Sequence, residues 1–195
     1  MGNKAVIVVD MLNDFVTGEL ANPRSVAITP NIAALLDAAR EHGWLVVFGN
    51  DAHLPGDPEE RVWGPHAMAG TPGADVIDDL EPQPGDIELP KRFYSSFYET
   101  GLDSLLRQNG VDEVIITGQH TNICVRHTSS DAFNGGFRIT VPEDAVAMFE
   151  EPGMTDEQYE ALQSDALAYL QKVYGARVLS TADIVSESRA AAVPA

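Results

Sequence analysis

The 195-residue chain has a single cysteine, so no intrachain disulfide can form. That excludes the small cross-linked scaffolds, fits a reducing interior, and leaves one free thiol to account for. Lysine is scarce, with only Lys4, Lys91 and Lys172. Twelve basic residues against 30 acidic ones give a formal net charge of −18. Such a surface repels nucleic acid and anionic membranes, and both are excluded as partners. Long apolar runs are also missing. The run Ala5–Val9 is broken by Asp10, too short and too acidic for a signal peptide or a membrane span. Val6 stands where a myristoylation signal needs Ser or Thr. These absences describe a soluble, untargeted, cytoplasmic protein. An acidic, lysine-poor surface also resembles that of proteins from salt-rich cytoplasm, an expectation about habitat and not about chemistry.

What is present is enough apolar material for a core. Hydrophobic residues make up 44% and charged residues 22% of the chain, an ordinary globular balance. At this length folding removes about 70% of the chain's surface from water, which needs no staples. The expected organisation is a single domain over residues 1–185, with residues 186–195 as a frayed tail.

Apolar runs alternate with helical patterns. Strands are expected at Ala5–Val9, Trp44–Phe48, Ile87–Leu89 (stopped by Pro90), Glu113–Thr117, Arg138–Val141 and Arg177–Leu179. Helices are expected from Thr29-Pro30 to His42-Gly43, over Thr100–Asn109 and Thr121–Phe133, and from a Thr155/Gln158 capping box to about Tyr174. This alternation predicts an α/β fold: three α/β/α layers around a mainly parallel six-stranded sheet. The segment Asn50–Gly85 lacks periodicity and reads as a long functional loop.

In parallel sheets, functional groups collect at the carboxyl ends of the strands. Asp10, Lys91 and Cys124 each follow a predicted strand, so the fold rule brings them to one rim. Each has a bland alternative: a small buried hydrophobe for the cysteine, a turn cap for the aspartate, a solvated charge for the lysine. Together they make chemical sense. A helix N-terminus and the Lys91 cation would lower the thiol pKa. Asp10 would take the thiol proton and return it to a leaving group. The turn Gly118-Gln119-His120-Thr121 would aim backbone N–H groups at a developing oxyanion. His127, one turn beyond Cys124, offers a rival Cys–His dyad. A phosphate-binding reading fails, because Asp10-Met11-Leu12-Asn13-Asp14 is acidic where a phosphate would sit.

Three segments carry a family resemblance: Val8-Val9-Asp10-Met11-Leu12-Asn13-Asp14-Phe15, Pro90-Lys91-Arg92-Phe93-Tyr94-Ser95-Ser96-Phe97, and Gly118-Gln119-His120-Thr121-Asn122-Ile123-Cys124-Val125. In order and over about residues 4–182, they resemble the isochorismatase-like cysteine hydrolases, which include nicotinamidases and N-carbamoylsarcosine amidases. The resemblance implies an Asp10–Lys91–Cys124 triad that cleaves a non-peptide C–N bond of a small-molecule amide through a thioester. It implies a cis peptide at Gln119–His120 and an oxyanion hole from the N–H groups of His120 and Cys124. It implies Asp51, His53 and His66 as ligands of Zn²⁺ or another divalent metal, against the bland reading that they bond the loop to itself. It also implies a homo-oligomer, commonly a dimer or tetramer. Phe15 and Trp63 are expected in the pocket, and Arg92 there as well, where a substrate carboxylate would want an arginine; Arg61 is the other arginine considered for that task. Nicotinamide is the leading substrate, with N-carbamoylsarcosine and other ureides as alternatives. From another class, a catalytically idle interaction module remains.

Overall fold

The computed structural model describes residues 3–192. Seven strands form one sheet: β1 (Asn3–Val9), β2 (Leu45–Asp51), β3 (Ile87–Lys91), β4 (Val111–Gln119), β5 (Arg138–Pro142), β6 (Val146–Ala147) and β7 (Arg177–Leu179). The order is β3-β2-β1-β4-β5-β7, with β6 pairing β4, and every strand pair is parallel. The six expected strands are present. The seventh, two-residue β6 is too short to show a period.

Among the described residues seven helices accompany the sheet: α1 (Asn13–Val16), α2 (Pro23–Glu41), α3 (Glu60–Trp63), α4 (Leu102–Gln108), α5 (Cys124–Asn134), α6 (Asp156–Tyr174) and α7 (Thr181–Ala192). Side-chain alternation along β1 divides the core. Ala5, Ile7 and Val9 pack with Leu102 and Leu106 of α4, Val125 of α5 and Leu170 of α6. Val6 and Val8 pack on the other face with Ile28, Ile32 and Leu36 of α2 and Ile184 of α7. A central strand buried on both faces reads as a continuous apolar run for this reason. Each fully buried Val or Ile contributes about 1.5–3 kcal/mol.

Three boundaries differ from expectation. Helix α2 begins at Pro23, not Thr29-Pro30. Asn22 caps it by accepting from Arg24 N–H, so Pro30 lies inside the helix. The hydroxyl of Thr29 donates to the Ser25 carbonyl just before that proline. Strand β3 runs through Pro90 to Lys91. It is an edge strand, where a missing N–H leaves no ladder bond unmade. Of the tail expected to fray, residues 186–192 lie in α7, where Ser188 is buried and Glu187 pairs with Arg177, and residues 193–195 lie outside the described residues. The capping box at Thr155 and Gln158 forms as expected, and Gly175 closes α6 in the left-handed conformation.

The loop between β2 and β3 holds α3 and two short 3₁₀ turns. A single bridge between His53 and Met68 closes the loop on itself, and another from Val76 to Leu12 ties it to the body. Asp14 adds a further tie, accepting from Ala67 N–H at 2.7 Å beside His66.

Candidate active site

Asp10, Lys91 and Cys124 meet at the carboxyl edge of the sheet, all nearly removed from solvent. Asp10 sits just beyond β1 with φ +54°, a left-handed conformation unusual for a residue other than glycine. Side chains from both neighbouring strands hold its backbone there. Asn50 accepts from Asp10 N–H at 3.1 Å, and the Gln119 amide donates to the Asp10 carbonyl at 3.0 Å. Gln119 is itself held by Asn22 and by the Ser25 hydroxyl. Gly118 allows this convergence: its φ is +103°, and a Cβ there would meet the Val9 carbonyl oxygen at 2.1 Å.

The Asp10 carboxylate accepts from Asp51 N–H at 2.8 Å and pairs with Lys91 Nζ at 2.8 Å. Lys91 Nζ also donates to Asp51 at 2.5 Å, so one ammonium serves two carboxylates. Cys124, the first residue of α5, places Sγ within 4.8 Å of an Asp10 oxygen. Burial, reinforced by the Asp51 charge, pushes the Asp10 carboxyl up to about 6 despite Lys91. Burial alone would lower Lys91, but Asp10 and Asp51 outweigh it and hold the ammonium well above its usual range.

The thiol corrects an expectation. Burial raises Cys124 well above the ordinary cysteine range, more than Lys91 lowers it. Burial and the three carboxylates of Asp10, Asp51 and Glu59 outweigh the one lysine. The resting pair is therefore a protonated thiol beside a carboxylate able to receive its proton. The Gln119–His120 peptide is cis. The amides of Thr121, Ile123 and Val125 donate to backbone carbonyls, whereas those of His120 and Cys124 carry no such bond among the described residues. His127 is exposed, bonded to the Ile123 carbonyl and stacked on Tyr94, so the ring does not lie beneath the thiol.

A cavity opens over the thiol. Phe15 and Trp63 line it together with Leu20, Tyr94, Ile123 and Phe149. Trp63 Nε1–H donates to the Tyr94 hydroxyl at 3.2 Å, fixing that wall. Arg92 is not in the lining. Its guanidinium is half-exposed and paired with Asp57, a bond that holds the Asp57 carboxyl well below the usual range. A buried carboxylate three residues after Leu54 captures the arginine before it can reach the cavity. Arg61 is exposed, and among the described residues no arginine or lysine lines the cavity.

Asp51, His53 and His66 come together at one side, and the structure adds Glu59, which sequence reasoning missed. One donor atom from each lies within 4.8 Å of the others. Asp51 Oδ2, both nitrogens of His53, Glu59 Oε1 and His66 Nε2 are buried without a hydrogen-bond partner. His66 Nδ1 lies 2.7 Å from the Gly64 carbonyl, which makes it the donor and leaves the Nε2 lone pair free. Burial and the Asp51 charge push Glu59 up to about 8. Burial would depress His53, but the Asp51 carboxylate 3.6 Å from its Nε2 raises it instead. Two imidazoles and two carboxylates with orphaned donor atoms fit a divalent ion such as Zn²⁺.

Comparison with known proteins agrees with this architecture. An isochorismatase-domain profile matches residues 4–183. The isochorismatase family protein PncA of Bacillus subtilis (strain 168) is 36% identical over 163 residues, covering 77% of this chain and 89% of that protein. The crystal structure of N-carbamoylsarcosine amidase from Thermoplasma acidophilum superposes with a TM-score of 0.83 at 41% identity, over 92% of this chain and 96% of that one. The pyrazinamidase of Pyrococcus horikoshii, solved in complex with zinc, gives 0.79 at 31% identity over 91% and 99%. The chain belongs to the isochorismatase family. It is an enzyme, a hydrolase.

Proposed function

We propose that this chain is a cysteine-dependent amidohydrolase that cleaves the C–N bond of a small neutral carboxamide, with nicotinamide as the leading substrate. The observation that carries the reading is the buried Cys124 thiol beside the Asp10 carboxylate, with Lys91 ion-paired to that carboxylate, at the floor of an aromatic cavity. Asp10 takes the thiol proton as Sγ attacks the substrate carbonyl, and the oxyanion collects at the amides of His120 and Cys124. The C–N bond then breaks and Asp10 gives its proton to nitrogen, which leaves as ammonia. Water activated by Asp10 attacks the thioester, releasing the acid and the thiol. Lys91 stays protonated throughout and offsets the charge that moves between carboxylate, thiolate and oxyanion. Asp51, His53, Glu59 and His66 would hold a divalent metal, whose chemistry there is to anchor or polarise a substrate atom.

A neutral substrate is favoured by the absence of an arginine or lysine from the lining and by the presence there of Asp51 and Glu59. The second reading, N-carbamoylsarcosine or another ureide, is favoured by the 41% identity to an N-carbamoylsarcosine amidase. The free thiol fits cytoplasmic conditions, and among the described residues no helix is long and apolar enough to cross a membrane. A homo-oligomer, dimer or tetramer, is part of the reading and is checked by light scattering. The deciding experiment is ammonia release from nicotinamide, N-carbamoylsarcosine and biuret, with Cys124→Ala beside wild type. Turnover of one substrate that the alanine variant loses is expected. Turnover that survives Cys124→Ala overturns the thiol mechanism, and no release from any of them favours the idle module.

A further inference from the structure

Behind Asp10 runs a chain of buried polar side chains that the proposed mechanism does not use. It starts at the first turn of α2, on the far side of the residue from the cavity. Arg24 N–H can only donate, so it selects Asn22 Oδ1 as its acceptor at 3.3 Å and leaves Asn22 Nδ2 to face inward. Nδ2 donates to the Met148 carbonyl at 2.7 Å and to Gln119 Oε1 at 3.4 Å. The Ser25 hydroxyl donates to the same Gln119 oxygen. With its oxygen taken by two donors, the Gln119 amide has its nitrogen end left for the Asp10 carbonyl, 3.0 Å away. Asn22, Ser25 and Gln119 are all fully buried. A flipped amide would set nitrogen against the Asn22 nitrogen and oxygen against the Asp10 carbonyl, with no water to relieve either. The direction of the Gln119 amide is therefore dictated from α2.

The receiving residue is the one whose backbone most needs holding. Asp10 lies in the left-handed region at φ +54°, a conformation that persists only where the surroundings over-determine it. Its side chain is short, so the carboxylate goes where the backbone is set. We propose that Gln119 is a positioning residue for proton transfer: its amide, aimed by Ser25 and Asn22, fixes the Asp10 backbone so that the carboxylate faces the Cys124 thiol. This rests on the role of Asp10 in the amidohydrolase reading. Gln119 touches neither substrate nor thiol, so its loss slows the chemical step and leaves substrate binding alone.

The test uses Gln119→Met, which keeps the length and removes the donor, Ser25→Ala, which removes a donor to Gln119, and the double variant. Thr140→Val serves as the control, because it deletes a buried hydrogen bond to Glu113 on β5, away from the site. Melting temperatures of all four are recorded beside two rates. The first is kcat and KM on whichever of nicotinamide, N-carbamoylsarcosine and biuret wild type turns over. The second is alkylation of the single thiol by iodoacetamide, which needs the proton removed from Cys124 and needs no substrate. Gln119→Met is expected to lower kcat and the alkylation rate by about ten- to a hundred-fold, the cost of a small misplacement, with KM within about two-fold. Ser25→Ala lowers both by less. The double variant matches Gln119→Met, because Ser25 acts through that amide.

Rates in Gln119→Met within about two-fold of wild type overturn the proposal. So does a loss carried by KM alone, a loss that Thr140→Val reproduces at equal melting temperature, or a double variant in which the two losses multiply. If wild type turns over none of the amides, the amidohydrolase reading fails on its own account. The alkylation series still decides whether Gln119 aims Asp10 at the thiol.

Discussion

At the residue scale, Asp10 sets the pH response. Its carboxyl is raised to about 6 by burial and by Asp51. Below that pH it holds a proton and cannot accept one from Cys124; above it the carboxylate is formed. The kcat/KM profile should therefore climb with pH through about 6, with an inflection that belongs to the coupled Asp10, Lys91 and Cys124 and not to one group. Asp10→Asn should remove the limb and lower kcat/KM by about 10²–10⁴-fold. A steady-state pH profile of both proteins checks this. An inflection retained in the asparagine variant would assign it elsewhere.

At the element scale, the strand ends position the chemistry and the loops form most of the walls. Asp10, Lys91 and Cys124 were legible because a parallel sheet converts the position after a strand into a place in space. Pro90 obscured the end of β3, since an edge strand accepts a proline that a central one would not. Glu59, Phe149 and Leu20 were invisible: they lie in loops without a period, and only tertiary folding brings them to the cavity. Arg92 misled, because no local pattern reveals that Asp57 neutralises it. The supports of Asp10, Asn50 and Gln119, were unreadable for the same reason.

The strands also make a prediction of their own. Gly118→Ala puts a methyl against the Val9 backbone in a left-handed conformation, and neither strand can yield without moving Asp10. A loss on the order of 1–3 kcal/mol is expected, read as a fall in Tm of roughly 2–4 °C per kcal/mol. In the loop after β2, zinc added to chelator-stripped protein should raise Tm, by about 2.7 kcal/mol of stability at a hundred times Kd. Glu59→Gln and His66→Ala should shrink that gain. Differential scanning calorimetry of the series measures both effects.

At the scale of the whole molecule, the net charge of −18 makes the folded chain repel itself. Salt screens exposed charges within about 10 Å at 0.1 M and about 3 Å at 1 M, so unfolding midpoints should rise along a salt series. Midpoints that stay flat would mean the acidic surface is already neutralised by its own ion pairs.

The division of labour between sheet and loops bears on how such an enzyme changes over time. Asp10 and Lys91 sit at the ends of β1 and β3, and Cys124 is the first residue of α5. Phe15 and Leu20, Trp63, and Phe149 hang from three short segments outside the sheet. On the proposed mechanism, a lineage can exchange those four side chains one at a time and visit new substrates, while Asp10, Lys91 and Cys124 are inherited intact.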